Sequence, residues 1–306
     1  MLVREQFSKQ EVGHLLQRMY GRLGCIIPAG LKQTLRTYIL PVLKKGMYNL
    51  LRDRGRILPL AAPLEGHQMR VSWPMNKPYV LGSHEPAVCK IIQKYVKPGY
   101  VVVDVGAHIG YFTLLFAKLV GEEGLVIAFE PLEETFAVLV ENVALNGYRN
   151  VCLEKKAVSE SSGVVLLYRD EWMAFPAASH VIPNTRSRLL AYPVSTLCLD
   201  EYVEAKGIKR VDFVKMDVEG AEGLVIKGMK KVIERDKPII VVEVHGEADG
   251  SPSEALLLLE RAGYQLWKLE GEGVAGRATV EYRGHVLAVP GNLEDNEFHT
   301  FRGEFS

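Results

Sequence analysis

Residues 101–117 read VVVDVGAHIGYFTLLFA, and this stretch indicates the fold class more strongly than any other part of the chain. An apolar run ends at Asp104, turns through Gly106 and Gly110, and continues as an amphipathic helix. A parallel strand, a glycine turn and a helix amino terminus together form a nucleotide-cofactor site, because exposed backbone amides and a strand-end carboxylate meet there. The stretch therefore predicts the first βα unit of a cofactor-binding α/β domain.

The glycine spacing distinguishes between cofactors. A dinucleotide site follows its strand with G-x-G-x-x-G, so that a pyrophosphate can approach bare backbone. This chain instead reads D-x-G-x-x-x-G, with Asp104 in the place of the first glycine. A carboxylate there repels a pyrophosphate but suits a cofactor that carries an ammonium and a sulfonium. We therefore predict S-adenosylmethionine as the cofactor.

Apolar strands and amphipathic helices alternate from Tyr100 to Val289. Strands that are apolar throughout, such as VVVD and IIVVEV, are typical of a parallel sheet with helices on both faces. We predict an α/β fold with a doubly wound, mostly parallel seven-stranded sheet. The predicted strands cover residues 100–104, 125–129, 151–155, 211–216, 238–244, 264–269 and 285–289. The main domain is predicted over 71–306, with its core over 97–290 and an insertion of the lid or substrate-loop type over 168–195.

The first 70 residues differ in charge from the rest of the chain. They hold 12 Lys and Arg against four Asp and Glu, although the whole chain has a formal net charge of zero. Helical apolar spacing over 10–22 and 29–54 predicts a basic helical extension or cap over 1–70. A basic amphipathic segment can also bind an anionic membrane, so peripheral membrane contact is an open alternative.

Other features bear on location. The sequence has no apolar run of the ~20 residues that a membrane-spanning helix needs, and its first residues have no signal-peptide core. Its four cysteines lie far apart, which is typical of a reducing compartment. We expect a cytoplasmic protein, with membrane association as the alternative. The oligomeric state is not predicted.

Polar residues at the carboxyl ends of the strands are candidates for cofactor binding, because ligands of such sheets bind there. Glu130 follows the second strand 24 residues after Gly106, where an acidic side chain binds ribose hydroxyls. Asp104 could instead cap a helix start, and Asn146 a helix end. The predicted cofactor-binding residues are Glu85, Asp104, Gly106, Ala107, His108, Gly110, Tyr111, Phe112, Glu130, Pro131, Asn146, Ala157 and Asp217.

Two later strand ends carry a cluster of acidic and imidazole side chains, in the segments KMDVEGAE (215–222) and EVHG (243–246). Side chains two apart in extended backbone share a face, so the cluster converges at one sheet end. Such convergence is costly unless the groups are hydrogen-bonded, metal-bound or in use. The predicted catalytic residues are His245, Asp217, Glu219 and Glu243.

Each of these residues has a predicted role. His245 serves as the base that takes a proton from the acceptor, since imidazole titrates near neutrality, and Asp217 or Glu243 orients it. In the alternative, Asp217, Glu219 and His245 hold a divalent cation that lowers the pKa of the acceptor hydroxyl.

The sequence resembles the FkbM family of S-adenosylmethionine-dependent methyltransferases over roughly residues 82–246. The motifs that carry this resemblance are VVVDVGAHIGYFT, IAFEP, ENVALNG and, most specifically, KMDVEGAE. The resemblance implies a Rossmann-like class I fold and O-methylation of a hydroxyl on a sugar, a glycan intermediate or another small natural product.

The resemblance also implies roles for single residues. Asp104, Gly106 and Gly110 line the methionine end of the cofactor, Glu130 binds the ribose, and Asp217 lies near the transferring methyl. His108 departs from the family pattern, because many relatives have asparagine there.

Three other functions remain as alternatives. Methylation of RNA is favoured by the basic first 70 residues, but the candidate acceptor sites lack the N/D-P-P-Y/F segment of many amino-directed enzymes, and no nucleic-acid partner is expected. An NAD-dependent oxidoreductase is opposed by Asp104 in place of a glycine. A non-catalytic binding module is opposed by the retained acidic strand ends.

Overall fold

The computed structural model describes residues 55–72, 76–170, 189–245 and 251–291. The chain divides into two compact units, one formed by 1–57 and 71–77 and the other by 58–70 and 78–306. Most of the first unit lies outside the described residues, so the basic helical extension over 1–70 stays a prediction. Residues 58–70 group with the second unit, which contains the α/β fold.

Strands and helices alternate along the described chain. The strands are β1 (Arg56–Pro59), β2 (Gln68–Val71), β3 (Val101–Val105), β4 (Leu125–Phe129), β5 (Val151–Glu154), β6 (Ala157–Val158), β7 (Gly163–Asp170), β8 (Leu189–Leu197), β9 (Phe213–Met216), β10 (Ile239–Val244), β11 (Tyr264–Glu270), β12 (Gly273–Arg277) and β13 (Gly284–Pro290). The helices are α1 (Lys77–Leu81), α2 (Pro86–Tyr95), α3 (Tyr111–Val120), α4 (Glu133–Leu145), α5 (Leu199–Ala205), α6 (Glu222–Lys227), α7 (Lys230–Asp236) and α8 (Glu254–Arg261). Of the helices in these ranges, none has both the length and the apolar composition of a membrane span.

The central sheet has the order β12-β11-β13-β10-β9-β3-β4-β5. Strands β10, β9, β3, β4 and β5 are parallel, whereas β13 runs antiparallel to both β10 and β11. All seven predicted strands belong to this sheet, so the doubly wound α/β prediction is confirmed. The eighth strand, β12, was not predicted, because its sequence GVAGR contains two glycines and one β-branched residue.

The parallel strands form the core because their side chains are buried on both faces of the sheet. Val103 and Ile127 are fully buried, as are Val214 and Ile240 on the strands beyond. This apolar packing fixes the strands, and the carboxyl ends of β3, β4, β9 and β10 consequently face the same edge of the sheet.

A smaller sheet has the order β6-β8-β7 and contains the flanks of the predicted insertion. Strands β7 and β8 pair antiparallel from Gly163 opposite Thr196 to Asp170 opposite Leu189. The insertion predicted over 168–195 therefore starts and ends within a β-ribbon. Its central part, 171–188, lies outside the described residues, and its role stays a prediction.

Candidate functional site

The site lies where the winding of the sheet changes direction. Strand β3 has β4 on one side and β9 on the other, although the chain passes through β4 and β5 before it returns to β9. Open α/β sheets bind ligands at such a switch point. Asp104 on β3 and Lys215 on β9 lie opposite each other in this pairing.

The turn after β3 needs its glycines because it packs closely against neighbouring segments. Gly106 adopts φ +80° and Gly110 adopts φ +97°. A Cβ on Gly106 would lie 1.9 Å from the carbonyl oxygen of Asp217, and one on Gly110 would lie 2.7 Å from Leu139 Cδ1. At Gly106 the backbone of Asp217 leaves no room for a side chain, whereas at Gly110 the positive φ is what favours glycine, because the end of the Leu139 side chain can move.

Asp104 is fully buried and only half satisfied. Its Oδ2 accepts a hydrogen bond from Thr113 Oγ1 at 2.6 Å, and its Oδ1 has no hydrogen-bond partner among the described residues. Burial raises the pKa of Asp104, and the charge of Lys215 opposes that rise. The alternative role as a helix cap is not seen, because helix α3 has no side-chain cap. An unpartnered buried carboxylate oxygen fits a cationic ligand such as the predicted cofactor.

Glu130 is held by backbone amides at the end of β4. His108 N donates to its Oε2 and Leu132 N donates to its Oε1, both over 3.0 Å. Burial raises the pKa of Glu130 to about 7, and the two hydrogen bonds from backbone amides oppose that rise. Each carboxylate oxygen keeps a further lone pair, so the arrangement fits the two hydroxyls of a ribose.

Aromatic rings pack around the glycine turn. Tyr79 stacks on Tyr111 with ring centroids 5.0 Å apart, and His84 meets Tyr79 edge-on at 4.4 Å. Tyr79 Oη lies 3.5 Å from His108 Nδ1, and burial lowers the pKa of His108 to about 4, so that ring is neutral. Tyr79 and His84 were not predicted, because no motif surrounds them in the sequence. The predicted Tyr111 and Phe112 both belong to this aromatic group.

His245 lies beside three carboxylates, of which that of Glu222 is buried and those of Glu219 and Glu243 are partly exposed. Its Nδ1–H donates to Glu222 Oε1 over 2.7 Å, while Nε2 lies 3.4 Å from Glu219 Oε2 and 3.8 Å from Glu243 Oε1. The hydrogen bond to Glu222 raises the pKa of His245 to about 9, although burial opposes the rise. Glu222 therefore fixes the His245 ring through Nδ1, whereas Asp217 or Glu243 was predicted to orient it.

Glu222 and Glu219 owe their positions to the turn after β9. Glu222 is the first residue of α6 and is buried, and its Oε1 also accepts from Gly220 N at 3.0 Å. Glu219 adopts the left-handed region at φ +53°, a conformation that is uncommon for non-glycine residues. Burial raises the pKa of Glu219.

His285, which the sequence analysis missed, joins the cluster from β13. It lies opposite Glu243 in the antiparallel pairing of β13 with β10. Its Nε2 is 3.4 Å from Glu243 Oε2 and 3.1 Å from Glu85 Oε2. Burial lowers the pKa of His285, but the two carboxylates outweigh it and raise the value to about 9. Only the strand register reveals this residue, and no local motif does.

Glu85 belongs to the same cluster. It precedes helix α2 in a left-handed conformation, makes no capping bond, and its Oε1 lies 3.0 Å from His84 Nε2. Burial alone would raise the pKa of Glu85, but the imidazoles of His285 and His84 hold it below its usual range. The structure thus places Glu85 beside the predicted catalytic residue Glu243, through their shared neighbour His285.

Lys215 is a buried cation among these acids, and it too was missed. Its Nζ lies 3.6 Å from Asp217 Oδ2 and 4.7 Å from the centre of the Phe112 ring. Burial would lower the pKa of Lys215, but Asp217 and Asp104 together hold it above its usual value. Burial raises the pKa of Asp217, and Lys215 opposes that rise. The lysine is part of the KMDVEGAE segment, so the sequence contained a signal for it.

The remaining predicted residues are placed differently from one another. Asn146 is the C-cap residue of α4, and its side-chain amide binds both backbone groups of Gln68, at 2.9 and 2.8 Å. Its polar atoms therefore serve the fold, as the helix-end alternative implied, and the structure does not bring it into the cofactor site. Ala107 N donates to Phe129 O within the turn. Pro131 and Ala157 are partly exposed near the carboxyl ends of β4 and β5, and their cofactor role stays a prediction.

Two groups of side chains in the described ranges could hold a metal ion. In each group, one ligand atom per residue lies within 4.8 Å of the others: Asp217, Glu243 and His245 in the first, and Glu85, Glu243 and His285 in the second. The predicted ligand set had Glu219 where the first group has Glu243.

Comparisons with known proteins show which proteins this chain is similar to. Residues 104–266 match the family described as the methyltransferase FkbM domain. The chain is 30% identical over 200 residues to the 31-O-demethyl-FK506 methyltransferase FkbM of Streptomyces tacrolimicus, covering 55% of this chain and 74% of that protein. It is 29% identical over 178 residues to the hexuronic acid methyltransferase AglP of Haloferax volcanii, covering 58% and 69%.

Two further similarities were found. Methyltransferase sdnD of Sordaria araneosa is 28% identical over 200 residues, which cover 56% of this chain and 76% of that protein. Among solved structures, the methyltransferase FkbM of Methylobacillus flagellatus aligns with a TM-score of 0.38 and 15% identity, over 65% of this chain and 50% of that one.

The matched region runs from the strand-end acid Asp104 through the KMDVEGAE segment to Leu266 on β11, and it spans more than half of the chain. It includes Glu130 and the carboxylates on the carboxyl ends of β9 and β10. The chain therefore belongs to the FkbM family of methyltransferases, which take the methyl group from S-adenosylmethionine.

Proposed function

We propose that this methyltransferase transfers the methyl group to a hydroxyl oxygen of a saccharide or a sugar-like small molecule. The observation that carries the proposal is the cluster of Asp217, Glu243 and His245 beside the cofactor residue Asp104. Carboxylates and imidazole are the groups that bind and deprotonate hydroxyls. The names of two relatives support an oxygen acceptor. One is a hexuronic acid methyltransferase, and the other is a 31-O-demethyl-FK506 methyltransferase.

Two buried carboxylates would hold the donor. Asp104 Oδ1 is a buried acceptor without a partner in the described chain, and it suits the ammonium of the methionine end. Glu130 offers two carboxylate oxygens that are already oriented by backbone amides, and these suit the ribose. When bound there, S-adenosylmethionine would supply a methyl carbon on a positively charged sulfur.

The protein promotes this attack by alignment and by handling one proton. Alignment matters because the reaction is an in-line displacement that needs near-attack geometry. The acceptor oxygen bonds to the methyl carbon as the carbon–sulfur bond breaks, and the hydroxyl proton must leave. We assign His245 Nε2 as the proton acceptor, with Glu222 fixing the ring through Nδ1. A charged ring cannot take the proton, so this role belongs to the neutral ring.

The test is transfer of an isotopic methyl group by the full chain. Hexuronic acids, neutral sugars and lipid-linked saccharides are offered as acceptors, with RNA as the alternative acceptor. We expect label on a sugar oxygen and a loss of about 10² to 10⁴-fold in rate for His245→Ala. Glu260→Gln, on the exposed face of α8, serves as the matched control and keeps the wild-type rate. Label in RNA and none in any saccharide would overturn the proposal.

A further inference from the structure

We infer that the carboxyl ends of β9 and β10 form a binding site for one divalent cation, with Asp217, Glu243 and His245 as its ligands. The inference rests on the proposed function for its role, because the cation would bind the acceptor hydroxyl at the same site. The presence of the ion can nevertheless be tested without any acceptor.

The ligand atoms already converge. One atom of each residue lies within 4.8 Å of the others, and His245 Nε2 is 3.8 Å from Glu243 Oε1. Ligand atoms that share an ion at bond lengths of about 2.1 Å lie roughly 3.0 to 3.5 Å apart. Small side-chain movements, with no change of backbone, are therefore sufficient to close the site.

His245 is held as metal-binding histidines are held. Its Nδ1–H donates to Glu222 Oε1 at 2.7 Å, and that carboxylate is itself buried and fixed by Gly220 N. A carboxylate on one ring nitrogen fixes the ring and leaves the other nitrogen for the ion. Nε2 is that other nitrogen, and it lies near the partly exposed carboxylates of Glu219 and Glu243.

The two carboxylate ligands also have positioning partners. Glu243 Oε2 lies 3.4 Å from His285 Nε2, so that its other oxygen, Oε1, is directed toward His245. Asp217 Oδ2 lies 3.6 Å from the buried Lys215 ammonium. Each of the three ligands is thus oriented by a separate protein group, which is the arrangement of a built metal site.

His285 pairs with Glu243 and with Glu85 at the same time. Its Nε2 lies 3.1 Å from Glu85 Oε2 and 3.4 Å from Glu243 Oε2. Glu243 is therefore held by an imidazole that lies outside the proposed ligand set.

The donor set defines the class of ion. One imidazole nitrogen and two carboxylate oxygens suit a first-row divalent ion such as Mn²⁺ better than Ca²⁺, which takes oxygen ligands only. Three protein ligands leave positions open for the acceptor oxygen. An ion there would lower the pKa of the bound hydroxyl, so that its proton would pass to water. His245 Nε2 would then bind the ion and would not act as the proton acceptor.

The probe is Mn²⁺ alone, added to the full chain after treatment with a chelator. We expect electron paramagnetic resonance to show one bound Mn²⁺ per chain with coupling to an imidazole nitrogen. Asp217→Asn and Glu243→Gln should abolish this signal, and Glu222→Gln should weaken the affinity about 10- to 100-fold through loss of the positioning carboxylate. Glu260→Gln should bind as the wild type does, and calorimetry with S-adenosylhomocysteine should show that every variant is folded.

The outcomes separate this site from the proposed function. Absence of bound Mn²⁺ in the wild type, or binding that persists unchanged in Asp217→Asn and Glu243→Gln, overturns the cation site. Methyl transfer that continues after chelation, in a protein that binds no Mn²⁺, likewise overturns the site and leaves the proposed function intact. A nitrogen-coupled Mn²⁺ signal without transfer to any saccharide supports the site and removes the proposed acceptor.

Discussion

Glu130 shows how a single side chain combines two opposing demands. The backbone amides of His108 and Leu132 favour its charged form, but burial outweighs them and raises its pKa to about 7. A ribose hydroxyl donates most strongly to a charged carboxylate. The proposed ribose contact of Glu130 therefore links cofactor binding to the ionisation of this residue near neutral pH.

The first prediction concerns this linkage. Raising the pH from about 6 to about 8 carries Glu130 from mostly protonated to mostly charged, and cofactor affinity should rise about tenfold. Titration calorimetry with S-adenosylhomocysteine measures the change. In Glu130→Gln the affinity should be lower and nearly independent of pH. An equally steep pH dependence in that variant would assign the effect to another group.

The second prediction separates two causes of glycine preference. Gly106 and Gly147 both have positive φ, at +80° and +70°, but only at Gly106 would a Cβ meet backbone, the Asp217 carbonyl at 1.9 Å. Gly147→Ala should lower the free energy of unfolding by about 1 kcal/mol from backbone strain alone. Gly106→Ala should lower it by at least about 3 kcal/mol and displace Asp217. Urea denaturation of both variants provides the comparison, and equal losses would contradict the close-packing argument.

Helix α4 and strand β2 illustrate how elements are joined without a shared sheet. Two asparagines one helical turn apart on α4 bind the backbone of β2. Asn142 binds Arg70, and Asn146 binds Gln68, which is two positions earlier on the strand. A primary amide can both donate and accept, so each asparagine replaces one backbone partner of a β-ladder. The ENVALNG motif therefore has a structural explanation.

The third prediction follows from the burial of Asn142. This side chain is fully buried and also donates to Ile109 O at 2.7 Å, whereas the bonds of Asn146 to Gln68 are exposed to water. Asn142→Ala leaves buried groups unsatisfied and should cost about 2 to 3 kcal/mol of unfolding free energy, against about 1 kcal/mol for Asn146→Ala. Thermal denaturation measures both. A larger loss at Asn146 would show that the exposed contact dominates.

Across the whole molecule, local patterns predicted more of the fold than of the site. The strands VVVD and IIVVEV and the turn at Gly106 are specified by neighbours in sequence, and all of them were predicted. The role of His285 depends on a register between β10 and β13 that no local pattern contains. Glu222 was found in the cluster, but its bond to His245 depends on how the turn before α6 folds.

The fourth prediction concerns the distribution of stability over the central sheet. Strand β3 has neighbours on both sides and its residues Val102 and Val103 are fully buried, whereas β12 is an edge strand with partly exposed residues. Amide hydrogen exchange should be slowest in β3 and β9 and fastest in β12. Measurement by mass spectrometry tests this order. Protection of β12 equal to that of β3 would indicate an additional partner on the open edge.

The antiparallel position of β13 has a consequence for biosynthesis. A nascent chain that has emerged as far as β10 already contains Asp104, Glu130, Asp217 and Glu243, but it lacks His285 on β13. The proposed donor pocket can thus form during translation, while the cluster that includes His285 is completed only when β13 inserts between β10 and β11. An enzyme assembled in this order gains its full set of reactive groups only after almost all of the chain described here has been made.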